Sequence, residues 1–577
     1  MTTGKALNGK PYAGNPHVAP SQCRGVASRF DEVEVASCTA EASLRRVPCR
    51  RQPEGRASGC AAKPRRGSLL YKQDAGSHDG ITRRGFLGAG ATFAAAPALA
   101  AGVSVDCRPQ TVRNPGGARA LKRYSVKRDI AVIGAGPAGL SAAIVAKRLG
   151  KSVVLVEKNG YLGGCLAIGI SPLGFLDGRG RWCIGGFARE FMERLAEKGW
   201  SNGTAVCPKH NSVTSANAEG VKMLAAELVR SEGVDVLLHS ELSAVDVENG
   251  SIRRATAFGK CNEIAIEAEI FIDCTGDGDL ACLSGCEYEM SKSLQPPTVM
   301  FTLENVDQEA LFRYVEKNPE ELRYSPSAAN QPQTPSTYTV EHFRKHKSHV
   351  FVGLQKTFSE LKAEGKLPVD RASLIYINGT NPGEVYVNTT RLLNTDATDI
   401  FSLTKAELDG TLQIPKLVEA IKARVPGFER CFVSSVSSNL GVRETRRFSG
   451  VRRVTGEDAF SGNVPEDTVA LSGYKIDVHS GSDSGVLFKD IAKPFGIPYG
   501  ALVMKDVGNL LAAGRCISAD AIALGSLRVM PTCMALGQAA ATAATIALRA
   551  GVSPKDADVS AIRKSLLSQG AILQPSA

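Results

Sequence analysis

Gly134, Gly136 and Gly139 stand at a spacing that serves one kind of chemistry. The first permits a tight bend, the second lets backbone approach a pyrophosphate, and the third lets a helix lie close on a strand. Pro137 and Ala138 open that helix, so its free amides and positive dipole end face the phosphates of a dinucleotide. The elements that must position these groups are legible around them. Residues 130–133 are a short apolar, partly β-branched run, as expected of a buried parallel strand. Residues 138–149 have helical composition and end at Gly150, a suitable left-handed stop. Residues 153–156 form a second strand, and Glu157 stands at its end, roughly twenty residues past the glycines, where a carboxylate accepts ribose hydroxyls. Lys158 follows it.

Six further stretches carry reactive or glycine-rich groups. Gly163-Gly164-Cys165 comes soon after the acid, and Thr275-Gly276-Asp277-Gly278-Asp279 closes a strand over 264–272. Gly441-Val-Arg443-Glu444-Thr-Arg446-Arg447 packs three arginines and a glutamate into seven residues, and Tyr474-Lys-Ile-Asp477-Val-His479 follows. Near the end come Ala513-Gly514-Arg515-Cys516 and Arg528-Val-Met530-Pro531-Thr-Cys533-Met534, the latter opening an alanine-rich helix that runs to Arg549 with Gly551 beyond it. Pro531 suits the first turn of that helix, and its small residues suit close packing.

The acid at the strand end followed by Gly163-Gly164 resembles the flavoprotein two-dinucleotide-binding families, in which side-chain-free backbone passes beside the adenosine diphosphate and ribityl chain of FAD. Taken with Gly134-x-Gly136-x-x-Gly139, Thr275–Asp279, Gly441-x-Arg443-Glu444 and Ala513-Gly514-Arg515-Cys516 followed by Arg528–Met534, it resembles the FAD-dependent oxidoreductase family related to the flavin portion of heterodisulfide reductase, over about residues 127–550. The resemblance implies FAD as cofactor. It implies cofactor contacts from Gly134, Gly136, Pro137, Ala138, Gly139, Glu157, Lys158, Gly163, Gly164, Cys165, Thr275, Gly276, Asp277, Gly514, Arg515, Met530 and Met534. It also implies that the last helix directs its N-terminus at the flavin pyrimidine ring. Heterodisulfide reductase proper carries iron–sulfur cysteine motifs. No Cys-x-x-Cys occurs here, so iron–sulfur clusters, structural zinc and metal sites generally have no sequence support. Cys165 lies where related disulfide reductases begin a redox pair, but the residue five further on is Ile170, so dithiol chemistry is not expected.

With no second glycine fingerprint for a nicotinamide nucleotide, the expected reaction is hydride or electron transfer between flavin and a small organic substrate, with a quinone, cytochrome or other redox protein as electron partner. An alternative is a flavin electron-transfer subunit working with a redox partner protein. The catalytic candidates are Arg443 and Arg528 as clamps on an anionic or carbonyl group, with His479 and Tyr474 as proton donors. Arg446 and Arg447, in the same arginine-rich stretch, are candidates beside them.

The net charge of +11 looks like a nucleic-acid signal, but residues 1–84 hold 15 Lys and Arg against 7 Asp and Glu and so carry +8 of it. The remainder is nearly neutral, and no nucleic-acid or membrane footprint is expected. Residues 1–80 read as an unfolded basic leader, and the reading places the true start near residue 70. Residues 81–100, with Arg83-Arg84 before an apolar stretch ending Ala98-Leu99-Ala100, have the layout of a twin-arginine export signal. A periplasmic or otherwise extracytoplasmic protein is expected, without a transmembrane segment in the mature chain. Four of the 15 cysteines fall in the leader; most of the other 11 are expected to be buried thiols.

The fold class expected is α/β, a Rossmann-like FAD-binding domain of the glutathione-reductase type with an inserted α+β substrate domain. The chain is divided into a linker over 101–126, the FAD domain over 127–295 and 481–550, the substrate domain over 296–480, and a tail over 551–577.

Overall fold

A computed structural model describes residues 110–111, 121–322, 338–483 and 485–576. The basic leader and the twin-arginine stretch lie outside the described residues.

A long strand, β1 (Lys122–Ile133), begins inside the stretch expected as linker, where Gln110–Thr111 pairs with its start. Its outer half, Lys122–Lys127, is mostly exposed, with only Val126 buried, and pairs in register with Asn262–Glu267. The helix α1 (Pro137–Arg148) and β2 (Val153–Val156) follow as expected, with Gly150 left-handed just beyond α1. Then come α2 (Gly186–Glu197), a hairpin of β3 (Ser201–Cys207) and β4 (Asn211–Ala216), α3 (Ala218–Ser231), and β5 (Asp235–Leu237). β6 (Glu241–Glu248), β7 (Ser251–Gly259) and β8 (Asn262–Asp273) form a meander. The sheet runs β5-β2-β1-β8-β7-β6, parallel from β5 to β8 and antiparallel through the meander. A late strand, Leu510–Ala512, returns to pair in parallel with the end of β8. This is the expected Rossmann-like α/β core.

A second sheet, all antiparallel, is built from β9 (Phe301–Glu304), β10 (Val350–Gly353), β11 (Leu374–Asn378), β12 (Val385–Val387) and β13 (Phe432–Val436), in the order β10-β11-β12-β9-β13. Helices α4 (Gln308–Lys317) and α5 (Ile400–Arg424) accompany it. Its core lies between Val299 and Leu440, joined by Cys207 and Val213 from the β3–β4 hairpin. The stretch from Phe448 to Ile476 packs instead on the first core, so the chain returns there nearer 441 than the expected 481. β14 (Thr468–Ser472), β15 (Ile476–His479), β16 (Val486–Lys489) and β17 (Phe495–Pro498) make two small ribbons, and β18 (Leu510–Ala512) leads to α6 (Ala521–Leu527) and α7 (Met530–Ala550).

The alanine-rich α7 is almost wholly buried against α1. A Cβ on Gly537 would come 2.0 Å from the Ala138 carbonyl oxygen, so glycine is what allows the two helices to touch. Among the described residues no single helix is long and apolar enough to cross a membrane; α6 and α7 reach that length together but meet at 94°.

Candidate active site

A cavity of about 770 Å³ lies between the two cores, with one end in the dinucleotide cradle and the other beneath the second sheet. That volume falls in the upper part of the roughly 300–1,000 Å³ typical of small-molecule sites.

At the cradle end, Gly134 is left-handed, and a Cβ there would strike the Cys274 carbonyl at 2.5 Å. Gly139 packs as expected: its Cβ would lie 1.7 Å from the Gly134 oxygen, so this residue shapes the turn from behind and does not face the cavity. Gly136 is the opposite case. A Cβ there meets nothing within 4 Å, and the residue caps α1 without any side-chain bond, leaving the first-turn amides open to the cavity. Glu157 is buried and already fixed. Its Oε2 accepts from Ala135 N at 2.8 Å, and its Oε1 accepts from Asn159 N at 2.9 Å and Asn159 Nδ2 at 2.7 Å. Lys158, Gly164 and Cys165 line the same wall. Burial pushes the Cys165 thiol up, so it stays protonated. Gly163 does not line the cavity; it bends the chain at a left-handed φ of 105° and donates its N–H to the Ala135 oxygen at 2.8 Å.

The turn after β8 is held by Asp273, which accepts from Thr275 N at 3.0 Å, Thr275 Oγ1 at 2.7 Å and Ala281 N at 2.8 Å. Burial still drives the Asp273 pKa up to about 6. Thr275, Gly276 and Asp277 line the cavity, but the Asp277 carboxylate is engaged: Arg515 Nη2 lies at 2.5 Å and Thr445 Oγ1 at 2.8 Å. Burial opposes ionisation there and the Arg515 guanidinium overrides it, so Asp277 stays charged. Gly514, Arg515 and Met530 complete this wall. Met534 does not: one turn beyond the helix start it is 1% exposed within the first core, a packing residue. The cavity wall is reached through Cys533 instead. The α7 N-terminus, capped by Val529 with no side-chain bond, opens on this cavity as α1 does.

The arginine-rich stretch divides. Arg447 is buried in an ion pair with Glu444 and does not reach the cavity, so its role is structural. Arg446 pairs with Asp279 at 3.0 Å. Arg443 turns into the cavity, donating to the Pro296 carbonyl and, among the described residues, lacking a carboxylate partner. Burial, then the charge of Arg528, pull its pKa down to about 10.

Asp477 is the hub of the far end. Its Oδ1 accepts from His479 Nε2 at 3.1 Å, and its Oδ2 lies 3.2 Å from Arg528 Nη2 and 3.5 Å from the Tyr474 hydroxyl. Burial opposes its charge, but His479, Arg528 and Arg443 hold the carboxyl well below its usual range. Burial lowers His479 to about 4 against the pull of Asp477, so at neutral pH the ring is neutral and Asp477 is ionised. The other ring nitrogen, Nδ1, is 3.4 Å from Arg391 Nη1. Asp477 at Nε2 and Arg391 at Nδ1 thus hold the neutral His479 ring at both nitrogens. Tyr474 keeps a neutral hydroxyl, because burial raises its pKa well above the ordinary value.

Sequence reasoning passed over Arg371 and Arg391, which line this end from the second sheet's loops, and His210, whose ring stacks on Tyr474 at 6.4 Å. A signal existed for one of them: Arg391 stands alone between Thr389-Thr390 and Leu392-Leu393, an odd place for a solvated cation.

A dinucleotide flavin fits this cavity on its own geometry: two uncapped helix N-termini face it, and the open space at Gly136 is where a phosphate must approach. The sequence profile of the FAD dependent oxidoreductase family matches residues 129–566, and the chain belongs to that family. Its cofactor is FAD. Among curated proteins the chain is similar to an NADH oxidase of Thermoanaerobacter brockii, 48% identical over 48 residues, 8% of this chain and 7% of that one. It is also similar to a dihydrolipoyl dehydrogenase of Halobacterium salinarum, 54% identical over 48 residues, 8% of this chain and 10% of that one. The matches thus span a tenth or less of these relatives' length. Among solved structures it is similar to a geranylgeranyl bacteriochlorophyll reductase-like protein of Thermoplasma acidophilum, at 14% identity and TM-score 0.39, covering 78% of this chain and 85% of that one. A p-nitrophenol 4-monooxygenase of Pseudomonas putida matches at 13% identity and TM-score 0.39, covering 78% and 87%.

Proposed function

We propose that this oxidoreductase transfers hydride or electrons between FAD and a small organic substrate held between the flavin-binding core and the second sheet. The observation that carries the reading is the single cavity shared by Gly136 at one end and by Arg443, Asp477 and Arg528 at the other. FAD, when bound, supplies the redox step; the chain supplies orientation and charge. Arg443, with no carboxylate of its own, draws an anionic or carbonyl group of the substrate toward the cofactor. Asp477 fixes Arg528 and His479 in place. Tyr474 holds a proton on its hydroxyl, within the cavity wall, available to a substrate oxygen.

An exported setting, inferred from Arg83-Arg84, belongs to the same proposal and favours a quinone or redox protein over a nicotinamide as electron partner. The test is anaerobic. The purified holoprotein is reduced with dithionite and mixed with small carbonyl and unsaturated acceptors, and in its oxidised form with the matching reduced compounds, following flavin absorbance. Turnover with one such compound, reduced at least a hundredfold in Arg443→Gln, is expected. Flavin that exchanges electrons only with quinones or proteins would replace this reading with that of an electron-transfer subunit.

A further inference from the structure

The far end of the cavity holds more positive charge than the protein neutralises. Arg371 is 8% exposed, lines the cavity and, among the described residues, has no carboxylate partner; its bonds are long ones to the carbonyls of Thr389 at 3.3 Å and Thr390 at 3.4 Å. Arg391 is 4% exposed and donates to the carbonyls of Ser480 at 2.9 Å and Asp483 at 2.7 Å, while its Nε is buried without a partner. Arg443 has only the Pro296 carbonyl. Arg528 alone has an acid, Asp477, and its Nε is also buried and unpaired. Asp370, the other acid on this wall, pairs with Lys362 at 2.7 Å. Asp370 and Asp483 act on Arg391 only at a distance, so among the described residues these four guanidiniums have one carboxylate, Asp477, in a direct ion pair.

Uncompensated buried cations are costly unless an anion completes them. The strain shows in Arg371, which burial, and then the charges of Arg443 and Arg391, depress well below the usual arginine range. The groups also come from separate parts of the chain: Arg371 and Arg391 from loops flanking β11 and β12, Arg443 after β13, and Arg528 between α6 and α7. A set brought together from separate segments can hold a ligand at several points at once.

We infer that the substrate of this site is a small organic dianion, a dicarboxylate, held with one carboxylate toward Arg371 and Arg391 and the other toward Arg443 and Arg528. A guanidinium fork matches a carboxylate in two-point fashion, so four guanidiniums lining one end of the cavity suit a ligand with two carboxylates. The inference rests on the cavity being the FAD and substrate site.

The test uses purified holoprotein in chloride-free buffer. Malonate, succinate, glutarate and adipate, with butyrate as a monocarboxylate control, are titrated while the flavin absorbance spectrum is followed. One dicarboxylate is expected to bind at least tenfold more tightly than butyrate. Arg371→Gln is expected to weaken it tenfold or more while retaining flavin, and Arg443→Gln provides a second variant should the first misfold. Holoprotein that carries flavin but binds no dicarboxylate better than butyrate overturns this inference and leaves the site reading intact. Loss of flavin in folded Arg371→Gln or Arg443→Gln also overturns it, because the arginines would then hold the cofactor's pyrophosphate. Wild-type protein without flavin overturns the site reading beneath it.

Discussion

Asp477→Asn isolates the charge balance of the far end, because it keeps the shape of the hub and removes its charge. In the wild-type protein this one carboxylate faces Arg528 at 3.2 Å, His479 at 3.1 Å and Tyr474 at 3.5 Å, within the field of Arg443. Breaking a buried pair by removing one charged partner costs about 3–5 kcal/mol. Asparagine still offers an oxygen to Arg528, so roughly half of that, about 2 kcal/mol, is expected here. At about 2–4 °C per kcal/mol for a large domain, the melting temperature should fall by about 4–8 °C. The second consequence has the opposite sign. Four guanidiniums would then have no carboxylate in a direct ion pair, so the best-fitting dicarboxylate should bind several-fold more tightly and restore most of the lost melting temperature. The assay is thermal unfolding of holoprotein followed by flavin fluorescence, with and without the anion. A variant melting within about 1 °C of wild type, or one in which dicarboxylate binding weakens, would refute the charge argument.

Other outcomes follow from the same geometry. Stability should fall steeply as pH drops from about 6.5 to 4. His210, His342, His349 and His479 are all depressed by burial, to about 3, 3, 4 and 4, so the unfolded chain takes up protons the folded one refuses, about 1.4 kcal/mol per pH unit for each; a melting curve flat across that window contradicts it. Glu157→Ala leaves Ala135 N and both Asn159 donors without their acceptor and should cut flavin affinity by tenfold or more, read as flavin content after dialysis. Gly537→Ala forces α7 off α1, since the added carbon falls 2.0 Å from Ala138 O, and should cost at least about 1–3 kcal/mol in thermal unfolding. Tyr474→Phe should keep flavin and substrate binding yet slow turnover; unchanged turnover would remove its proton role.

The cradle was legible because it is local: Gly134, Gly136, Gly139 and Glu157 lie within one βαβ unit, and backbone sterics tie each residue type to its place. Residues 153–156 and the α7 boundaries were likewise written in composition. The β3–β4 hairpin was not, because buried Ser212, Thr214 and Ser215 show no apolar alternation; Ser215, for one, is satisfied only by tertiary bonds such as that to Asn378 O at 2.7 Å. The arginine site was half legible. Arg443 and Arg528 stood in conspicuous stretches, whereas Arg371 and Arg391 come from loops whose meeting with them depends on how the second sheet sits over the first core. Arg447 and Met534 were misplaced for a related reason: position in a motif does not say which face of the chain meets the cavity.

The most direct measurement is a crystal structure of the holoprotein with the tightest-binding dicarboxylate. The account predicts the FAD pyrophosphate on the amides of Gly136 and the α1 first turn, and the anion between Arg371, Arg391, Arg443 and Arg528. A pyrophosphate held by those arginines, with the amides at Gly136 facing solvent, would contradict it.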